Sequence, residues 1–89
     1  MSFAIELTPA ARRQLRKLDP PVRRRVAERI NTLADDPRPD GVVKLTAIEP
    51  PLYRVREGEW RIVYRIKDDQ LLVVIVRVGH RSEIYERQR

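Results

Sequence analysis

The sequence has no cysteine, one histidine and no hydrophobic run long enough to cross a bilayer. The absence of cysteine excludes a disulfide-stabilised scaffold, a cysteine zinc finger, an iron–sulfur site and a cysteine nucleophile. With His80 as the only histidine, one chain cannot build a histidine-rich metal site or a His–His acid–base pair. The longest uncharged apolar run, residues 71–76, is far shorter than the about 20 residues of a membrane-spanning helix. The first residues also lack the basic and apolar regions of a secretion signal, so we expect a cytoplasmic protein.

Length and charge bound the domain count and the partners. A chain of 89 residues is short enough for one domain, which we expect to span 1–89. The hydrophobic fraction of 42% is that of a folded chain, although 36% of the residues are charged. The net charge of +6 favours a polyanionic partner, either a nucleic acid or an acidic protein. An arginine-rich genome would produce the same excess, so charge alone leaves both explanations open.

The first half of the chain has the pattern of a short strand followed by two amphipathic helices. Alternating apolar residues over 3–7 predict the strand, and Thr8 followed by Pro9 is typical of a helix N-terminus. Asp19-Pro20-Pro21 ends the first helix and begins the second. Apolar residues at helical spacing predict the buried sides of the two helices: Ala11, Leu15 and Leu18, then Val22, Val26, Ile30 and Leu33. We expect a helical hairpin with a basic exterior.

The second half changes to the period of strands. Residues 53–56 and 60–66 alternate, and residues 71–78 are almost continuously apolar, as in a central strand. We therefore expect an α+β fold. It has an N-terminal strand, the helical hairpin, and then an antiparallel sheet of three further strands with both helices packed on one face.

Two candidate turns set the register of this sheet. If Glu57-Gly58 and Asp68-Asp69 are two-residue turns, Arg54 faces Arg61 across the first pair of strands. One face is then nearly all apolar and packs on the helices, with Tyr53, Val55, Trp60, Ile62, Tyr64, Ile66, Leu71, Val73 and Ile75. The other face combines arginines with a stripe of valines that no evident segment covers, with Arg54, Arg56, Glu59, Arg61, Val63, Arg65, Leu72, Val74, Val76 and Val78.

Arg54, Arg56 and Arg61 converge on this second face by register. Like charges opposite one another cost stability unless an anion lies between them. Guanidinium groups bind phosphate in bidentate fashion and stay charged at any working pH. Several of them around one phosphate would stabilise the extra negative charge of a phosphorane-like transition state. The cluster therefore indicates a phosphate-binding function.

The segment after the last strand adds groups of other chemistry. Gly79 ends or bends that strand, so His80, Arg81 and Tyr85 are expected to leave from the edge of the basic face. Histidine changes charge near neutral pH, and an aromatic ring can stack on an unpaired base. Each residue alone has a structural explanation, as a surface histidine, a solvated arginine or a tyrosine that packs the C-terminal segment. Their convergence with the arginines is what indicates a functional site.

The order of elements and two motifs resemble the RelE/ParE toxin superfamily. Residues 52–64, LYRVREGEWRIVY, are similar to its pattern Y-(K/R)-hydrophobic-(K/R), then (Y/W)-R-hydrophobic-hydrophobic-Y. Residues 78–85, VGHRSEIY, are similar to its closing pattern V-G-(K/H)-R, then hydrophobic-Y. Lys44-Leu45 stands where the superfamily has K-L before these strands. The resemblance spans nearly the whole chain.

The resemblance implies a RelE-like fold and a toxin of a type II toxin–antitoxin system. RelE-type members are endoribonucleases that cleave mRNA in the ribosomal A site and so inhibit translation. They work without a metal or other cofactor, by attack of the 2′-hydroxyl on the adjacent phosphate. The resemblance carries Arg61, Arg81 and Tyr85 over as catalytic residues and Arg54, Arg56 and Lys44 as substrate-binding residues.

Arginine at positions 54 and 56 differs from the lysine that often occupies them in active members. Arginine does not give up its proton at working pH, so both residues can only stabilise charge. His80 is then the first candidate to accept the proton of the 2′-hydroxyl, Tyr85 the second and Glu59 the third. Proton transfer by such a group contributes roughly 10²–10⁴-fold to a rate.

Two other functions are compatible with the sequence. The resemblance also covers ParE-type toxins, which inhibit DNA gyrase without cleaving nucleic acid and generally lack the basic and aromatic set. A catalytically inactive basic module would only bind its antitoxin.

The resemblance also implies partners. The basic, valine-striped face should receive an acidic amphipathic segment of a cognate antitoxin. The antitoxin would neutralise the Arg54 and Arg61 face or displace the segment around Tyr85. A RelE-type toxin adds the ribosome and mRNA as partners, and its complex with the antitoxin is expected to bind operator DNA through the antitoxin. No membrane partner is expected.

Overall fold

Five strands and two helices make up the part of the chain that the computed structural model describes, residues 2–83. In chain order the elements are β1 (Ala4–Leu7), α1 (Pro9–Arg16), α2 (Pro20–Thr32), β2 (Val43–Leu45), β3 (Leu52–Glu57), β4 (Trp60–Lys67) and β5 (Leu72–His80). The strands form one sheet in the order β1-β5-β4-β3-β2. β1 runs parallel to β5, and the other neighbours are antiparallel. The predicted α+β class is confirmed, whereas the predictions for Tyr85 lie outside the described residues.

β2 is the strand that the sequence does not indicate. It has three residues and lies at the edge of the sheet, paired only with β3. The sheet therefore has four strands after the helices among the described residues, one more than predicted. A segment this short shows too little alternation to be distinguished from a loop.

Both helices begin where the sequence predicts. The Thr8 hydroxyl accepts a hydrogen bond from the Ala11 N–H at 3.1 Å, and Pro9 occupies the first turn of α1. The same hydroxyl donates to the Val76 carbonyl oxygen at 2.9 Å. This pair of bonds ties the start of α1 to β5 and fixes the helix on the sheet.

The predicted helix stripes and the apolar sheet face form one core. Its buried members are Ala11, Val26, Ile30, Leu33, Tyr53, Val55, Ile62, Tyr64, Val73, Ile75 and Val78. Leu15, Leu18 and Val22 pack against this core and are partly buried. Full burial of an aliphatic side chain of this size contributes about 1.5–3 kcal/mol. The helices therefore cover one face of the sheet, as predicted, and leave the other for a functional site.

The turn between β3 and β4 is displaced by one residue from the predicted position. Glu57 pairs with Trp60, so Gly58 and Glu59 form the turn. Gly58 has a φ of +59°, which glycine adopts without the strain that a side chain would add. Because the first turn position requires a positive φ, Gly58 occupies it, and the turn therefore lies one residue later than predicted.

This displacement changes the cross-strand partners of the arginines. Arg61 lies opposite Arg56, and Arg54 lies opposite Val63, so the predicted Arg54–Arg61 pair is wrong. Because the pairing shifts by two residues, every side chain of β3 and β4 keeps its predicted face. Val63 is buried at 2% exposure, so the predicted valine stripe is not open at this point.

A β-bulge in β5 reverses the faces of the residues that follow it. Tyr64 pairs with Ile75 whereas Val63 pairs with Arg77, which leaves Val76 as an extra residue. Val78 therefore lies in the core, and its predicted place on the arginine side is wrong. A continuous apolar run carries no alternation from which the bulge could have been read.

The connection from β4 to β5 is a 3₁₀ turn at Asp68–Gln70 followed by Leu71 at a φ of +49°, not the predicted two-residue turn. The Arg38 guanidinium donates to both carboxylate oxygens of Asp68, at 3.1 and 2.8 Å. These hydrogen bonds hold the pKa of the Asp68 carboxyl below its usual range. The ion pair fastens the loop after α2 to the far end of the sheet.

Candidate active site

The sheet face turned away from the helices carries a cluster of arginines on three adjacent strands. Register places Arg54 and Arg56 there from β3, Arg61 and Arg65 from β4, and Arg77 from β5. We call these five residues the arginine face. In the described strands β3–β5, no acidic residue shares this face by register. The face is therefore suited to a polyanion, because it presents fixed positive charge without an acidic neighbour in the strands.

The turn between β3 and β4 anchors two arginines at the edge of this face. Arg61 Nη1 donates to the carbonyl oxygens of Gly58, at 3.0 Å, and Trp60, at 3.1 Å. The Arg81 N–H donates to the intervening carbonyl oxygen of Glu59 at 2.9 Å. Three successive carbonyl groups of one turn thus bind the Arg61 side chain and the Arg81 backbone.

Arg61 is the most deeply placed of these side chains. It is 4% exposed, although arginine is almost never fully buried unless it is paired. Its partner on β3 is Arg56 and its partner on β5 is Gly79, which has no side chain to compete for the space. A guanidinium held in this way needs little reorganisation to stabilise charge that develops beside it.

Arg81 differs from Arg61 because it is exposed and ion-paired. Its Nε lies 3.1 Å from Glu59 Oε2, and the two side chains are 57% and 62% exposed. The structure therefore brings Glu59, the third-ranked candidate proton acceptor, into direct contact with a predicted catalytic residue.

His80 lies on the other side of the sheet from the arginine face. It pairs with Trp60, and the two rings meet edge to face with centroids 5.5 Å apart. Its Nδ1 lies 3.3 Å from the backbone nitrogen of Ser82 and 3.0 Å from the Ser82 hydroxyl oxygen, so Ser82 occupies this ring nitrogen. The expectation that His80 leaves from the edge of the basic face is corrected, because the bulge at Val76 turns it to the helix side.

The predicted substrate-binding residues divide between the two faces. Arg54, half-buried, and Arg56, exposed, both belong to the arginine face. Lys44 is exposed on β2 and pairs with Tyr53, which places it on the helix side by register. Tyr85 lies outside the described residues. Register thus places Arg54, Arg56 and Arg61 on one face and Lys44 and His80 on the other, and Arg81 is bound to the turn between β3 and β4.

The arginine face also contains residues that sequence reasoning did not single out. Arg65 follows Arg61 and Val63 on alternate positions of β4, and the sequence assigns it to this face without naming it as a functional residue. Arg77 reaches the face only because of the bulge, which the sequence does not signal.

Neither a metal site nor a membrane-crossing helix is found in the described part of the chain. Within residues 2–83, no three histidine, cysteine, aspartate or glutamate side chains cluster in a way that could hold a metal ion. None of the helices there is both long and apolar enough to cross a membrane.

The chain is similar to a known protein family, to named relatives and to solved structures. Residues 5–85 match the family model described as ParE toxin of type II toxin-antitoxin system, parDE. The chain is 36% identical over 88 residues to Toxin RelG of Mycobacterium tuberculosis, covering 98% of this chain and 100% of the relative. It is 28% identical over 89 residues to mRNA interferase toxin RelE of Escherichia coli, covering 96% and 92%. It is also similar to a chain of the toxin–antitoxin complex RelBE2 of M. tuberculosis, with a TM-score of 0.79 and 34% identity, over 91% of this chain and 100% of that chain.

Proposed function

The chain belongs to the ParE toxin family of type II toxin–antitoxin systems, in the RelE/ParE superfamily, and on this basis we propose that it is a ribosome-dependent endoribonuclease of the RelE type. The observation that carries the proposal is the convergence of Arg61 and Arg81 on one turn beside the arginine face. One relative is named an mRNA interferase, which supports the same activity.

The proposed reaction is an intramolecular transfer at phosphorus. The 2′-oxygen of a ribose loses its proton and attacks the adjacent phosphate, and the bond from phosphorus to the 5′-oxygen breaks. The 5′-oxygen takes up a proton from water, so a cyclic phosphate and a 5′-hydroxyl result. Arg61 and Arg81 stabilise the added negative charge of the phosphate oxygens in the transition state. Arg54 and Arg56 hold the neighbouring backbone, since arginine cannot act as a proton acceptor at working pH.

Among the described residues, Glu59 is better placed than His80 to accept the proton of the 2′-hydroxyl. Its carboxylate lies beside Arg81, whereas the His80 ring contacts Trp60 on the helix side. His80 Nδ1 is also occupied by Ser82, through both its backbone N–H and its hydroxyl group. We therefore rank Glu59 ahead of His80, and Tyr85 stays a prediction from the resemblance.

The activity is tested by primer extension on an mRNA in a translating extract, with and without the added protein. We expect cuts inside codons that disappear when ribosomes are omitted. An Arg81→Ala variant should abolish these cuts, whereas Arg24→Ala, which removes one positive charge from an exposed position of α2, should leave them unchanged. Cleavage that survives Arg81→Ala would contradict this site.

A second candidate function is inhibition of DNA gyrase, because the matching family model carries the name of a ParE toxin. It predicts intact mRNA and a DNA-damage response on expression. A supercoiling assay with purified gyrase separates the two functions, since the endoribonuclease has no effect on that reaction.

The proposed protein partner is a cognate antitoxin, because a similar solved chain is part of a toxin–antitoxin complex. An acidic amphipathic segment of the antitoxin would cover the arginine face, and the complex would bind operator DNA through the antitoxin. Its affinity should fall with salt and on charge reversal of an exposed arginine of the face.

A further inference from the structure

A groove on the same side of the sheet as the arginine face lies beside Val63, away from Arg81. Its volume is about 540 Å³, within the range of small-ligand pockets, and its lining includes Leu45, Ile48, Leu52, Val63 and Arg77. Leu52 and Val63 are strand residues, and Leu45 and Ile48 belong to the end of β2 and the loop after it. The groove is thus an apolar trough with a guanidinium at one side.

Among the described residues that line the groove, the two charged ones are both positive. Arg77 lies on the arginine face, and Lys44, which register assigns to the helix side, lines the groove from the edge strand β2. Arg54 and Arg77 lie on opposite sides of Val63, as its partners on β3 and β5. Adjacent strands are about 4.8 Å apart, so the Cα atoms of the two arginines are about 10 Å apart across the trough.

The groove lies next to the residues that we assign to RNA cleavage, along the same strands β3 and β4. Along β4, Val63 lies two positions from Arg61 on the same face, and Arg56 and Arg54 have the same spacing along β3. A single-stranded RNA whose cleaved phosphate lies at Arg61 therefore has its next nucleotide within reach of the groove. Single-stranded nucleic acid is recognised by positive charge along the backbone and by contact with the faces of the bases.

We propose that this groove is a nucleotide subsite of the RNA substrate, in which Arg77 binds a phosphate next to the cleaved one and Leu52 contacts the base above the buried Val63. The subsite rests on the proposed endoribonuclease function and extends it beyond the residues that the superfamily resemblance supplies. An acidic amphipathic segment of the antitoxin would use the same floor and the same arginines, so the test compares RNA affinity with antitoxin affinity. The subsite makes the nucleotide beside the cleaved bond a determinant of substrate choice.

The subsite is tested with a fluorescein-labelled, 2′-O-methylated RNA hexamer, which cannot be cleaved, by anisotropy with the full chain. We expect Arg77→Ala to weaken binding about 5- to 10-fold and to reduce the slope of log affinity against log salt by about 0.7, the loss of one phosphate contact. Arg77→Lys should keep the slope. Leu52→Ala should weaken binding about threefold without changing the slope, because it removes an apolar contact.

Arg24→Ala is the matched control, since it removes one positive charge from an exposed helix position. Equal RNA affinity of Arg77→Ala and Arg24→Ala overturns the subsite. If Arg77→Ala binds RNA normally and only its affinity for the antitoxin falls, the subsite is also overturned and the groove is assigned to the protein partner. If wild-type protein cleaves mRNA on ribosomes while Arg77→Ala binds RNA normally, the subsite alone fails. If the wild type neither cleaves nor binds RNA, the proposed function fails with it.

Discussion

Arg81 is joined to Glu59 by two contacts at once, a hydrogen bond of 2.9 Å from its N–H to the Glu59 carbonyl oxygen and an approach of 3.1 Å between its Nε and Glu59 Oε2. Both side chains are more than half exposed, and ion pairs in such positions contribute about 1 kcal/mol at most. The pair therefore does little for stability. Its effect is to place one exposed guanidinium beside the turn that also binds Arg61.

Replacement of Arg81 by alanine should separate activity from stability. We expect mRNA cleavage to fall by roughly 10²–10³-fold, the usual effect of removing one preorganised group that stabilises developing charge. The free energy of unfolding should change by less than about 1 kcal/mol, because the ion pair is exposed. Urea denaturation and ribosome-dependent cleavage measure the two effects. A loss of activity that parallels a loss of folded protein would contradict the proposed role.

The proton acceptor is distinguished by isosteric substitutions at two positions. We expect Glu59→Gln to lower the cleavage rate by roughly 10²–10⁴-fold, because the amide can still accept a bond from Arg81 but cannot take a proton. His80→Asn should lower the rate less than about tenfold, because the ring faces away from the arginine face. The rate on ribosome-bound mRNA at saturating toxin is the measurement. The reverse ranking would restore His80 as the acceptor.

The sequence predicts most of the fold because the spacing of its apolar residues agrees with the residues that begin and end its helices and strands. Thr8-Pro9 and the apolar spacing of both helices locate the helical hairpin, and alternation locates β3 and β4. The errors arise where a single residue changes the pairing of two strands without changing the alternation of apolar and polar residues. Gly58 moves a turn by one position, and Val76 adds a bulge inside an apolar run.

The residues of the candidate site also divide into those that alternation assigns to the observed face and those whose face depends on the bulge. Arg54, Arg56 and Arg61 were assigned to one face from alternation alone, and register places them there. The faces of His80 and Arg77 depend on the bulge, so the prediction for His80 is wrong and the sequence made no prediction for Arg77. Their positions are set by how β5 meets β4, which is a property of the paired strands and not of either segment.

Tyr64 provides a prediction for alkaline pH. Its hydroxyl is buried and donates to the Pro37 carbonyl oxygen at 2.7 Å, and burial raises its pKa above the usual range. The folded state therefore holds the phenolic proton more tightly than the unfolded chain. This contribution is complete below the unfolded pKa of about 10 and is lost as the pH rises above it.

We expect Tyr64→Phe to lose about 1–3 kcal/mol at neutral pH, because the Pro37 carbonyl oxygen loses its donor. Above about pH 10 the stability of the wild type should fall more steeply than that of the variant, so the difference between them narrows. Urea denaturation of both proteins at neutral and alkaline pH measures this difference. A constant difference at both pH values would show that the phenol does not ionise late.

Arg56 and Arg61 lie directly opposite each other, so their mutual repulsion should lower the stability of the fold while both serve the proposed mRNA cleavage. Like charges directly opposite each other destabilise a sheet, and opposite charges contribute roughly 0.2–1 kcal/mol. Arg56→Glu should therefore stabilise the fold by about 0.5–1 kcal/mol and reduce cleavage, because the new carboxylate neutralises Arg61. Arg54→Glu is the matched control, since it reverses the same charge opposite Val63 and gains no direct partner. Equal stabilisation by the two variants would contradict the register, and full cleavage by Arg56→Glu would remove the arginine pair from the phosphate site.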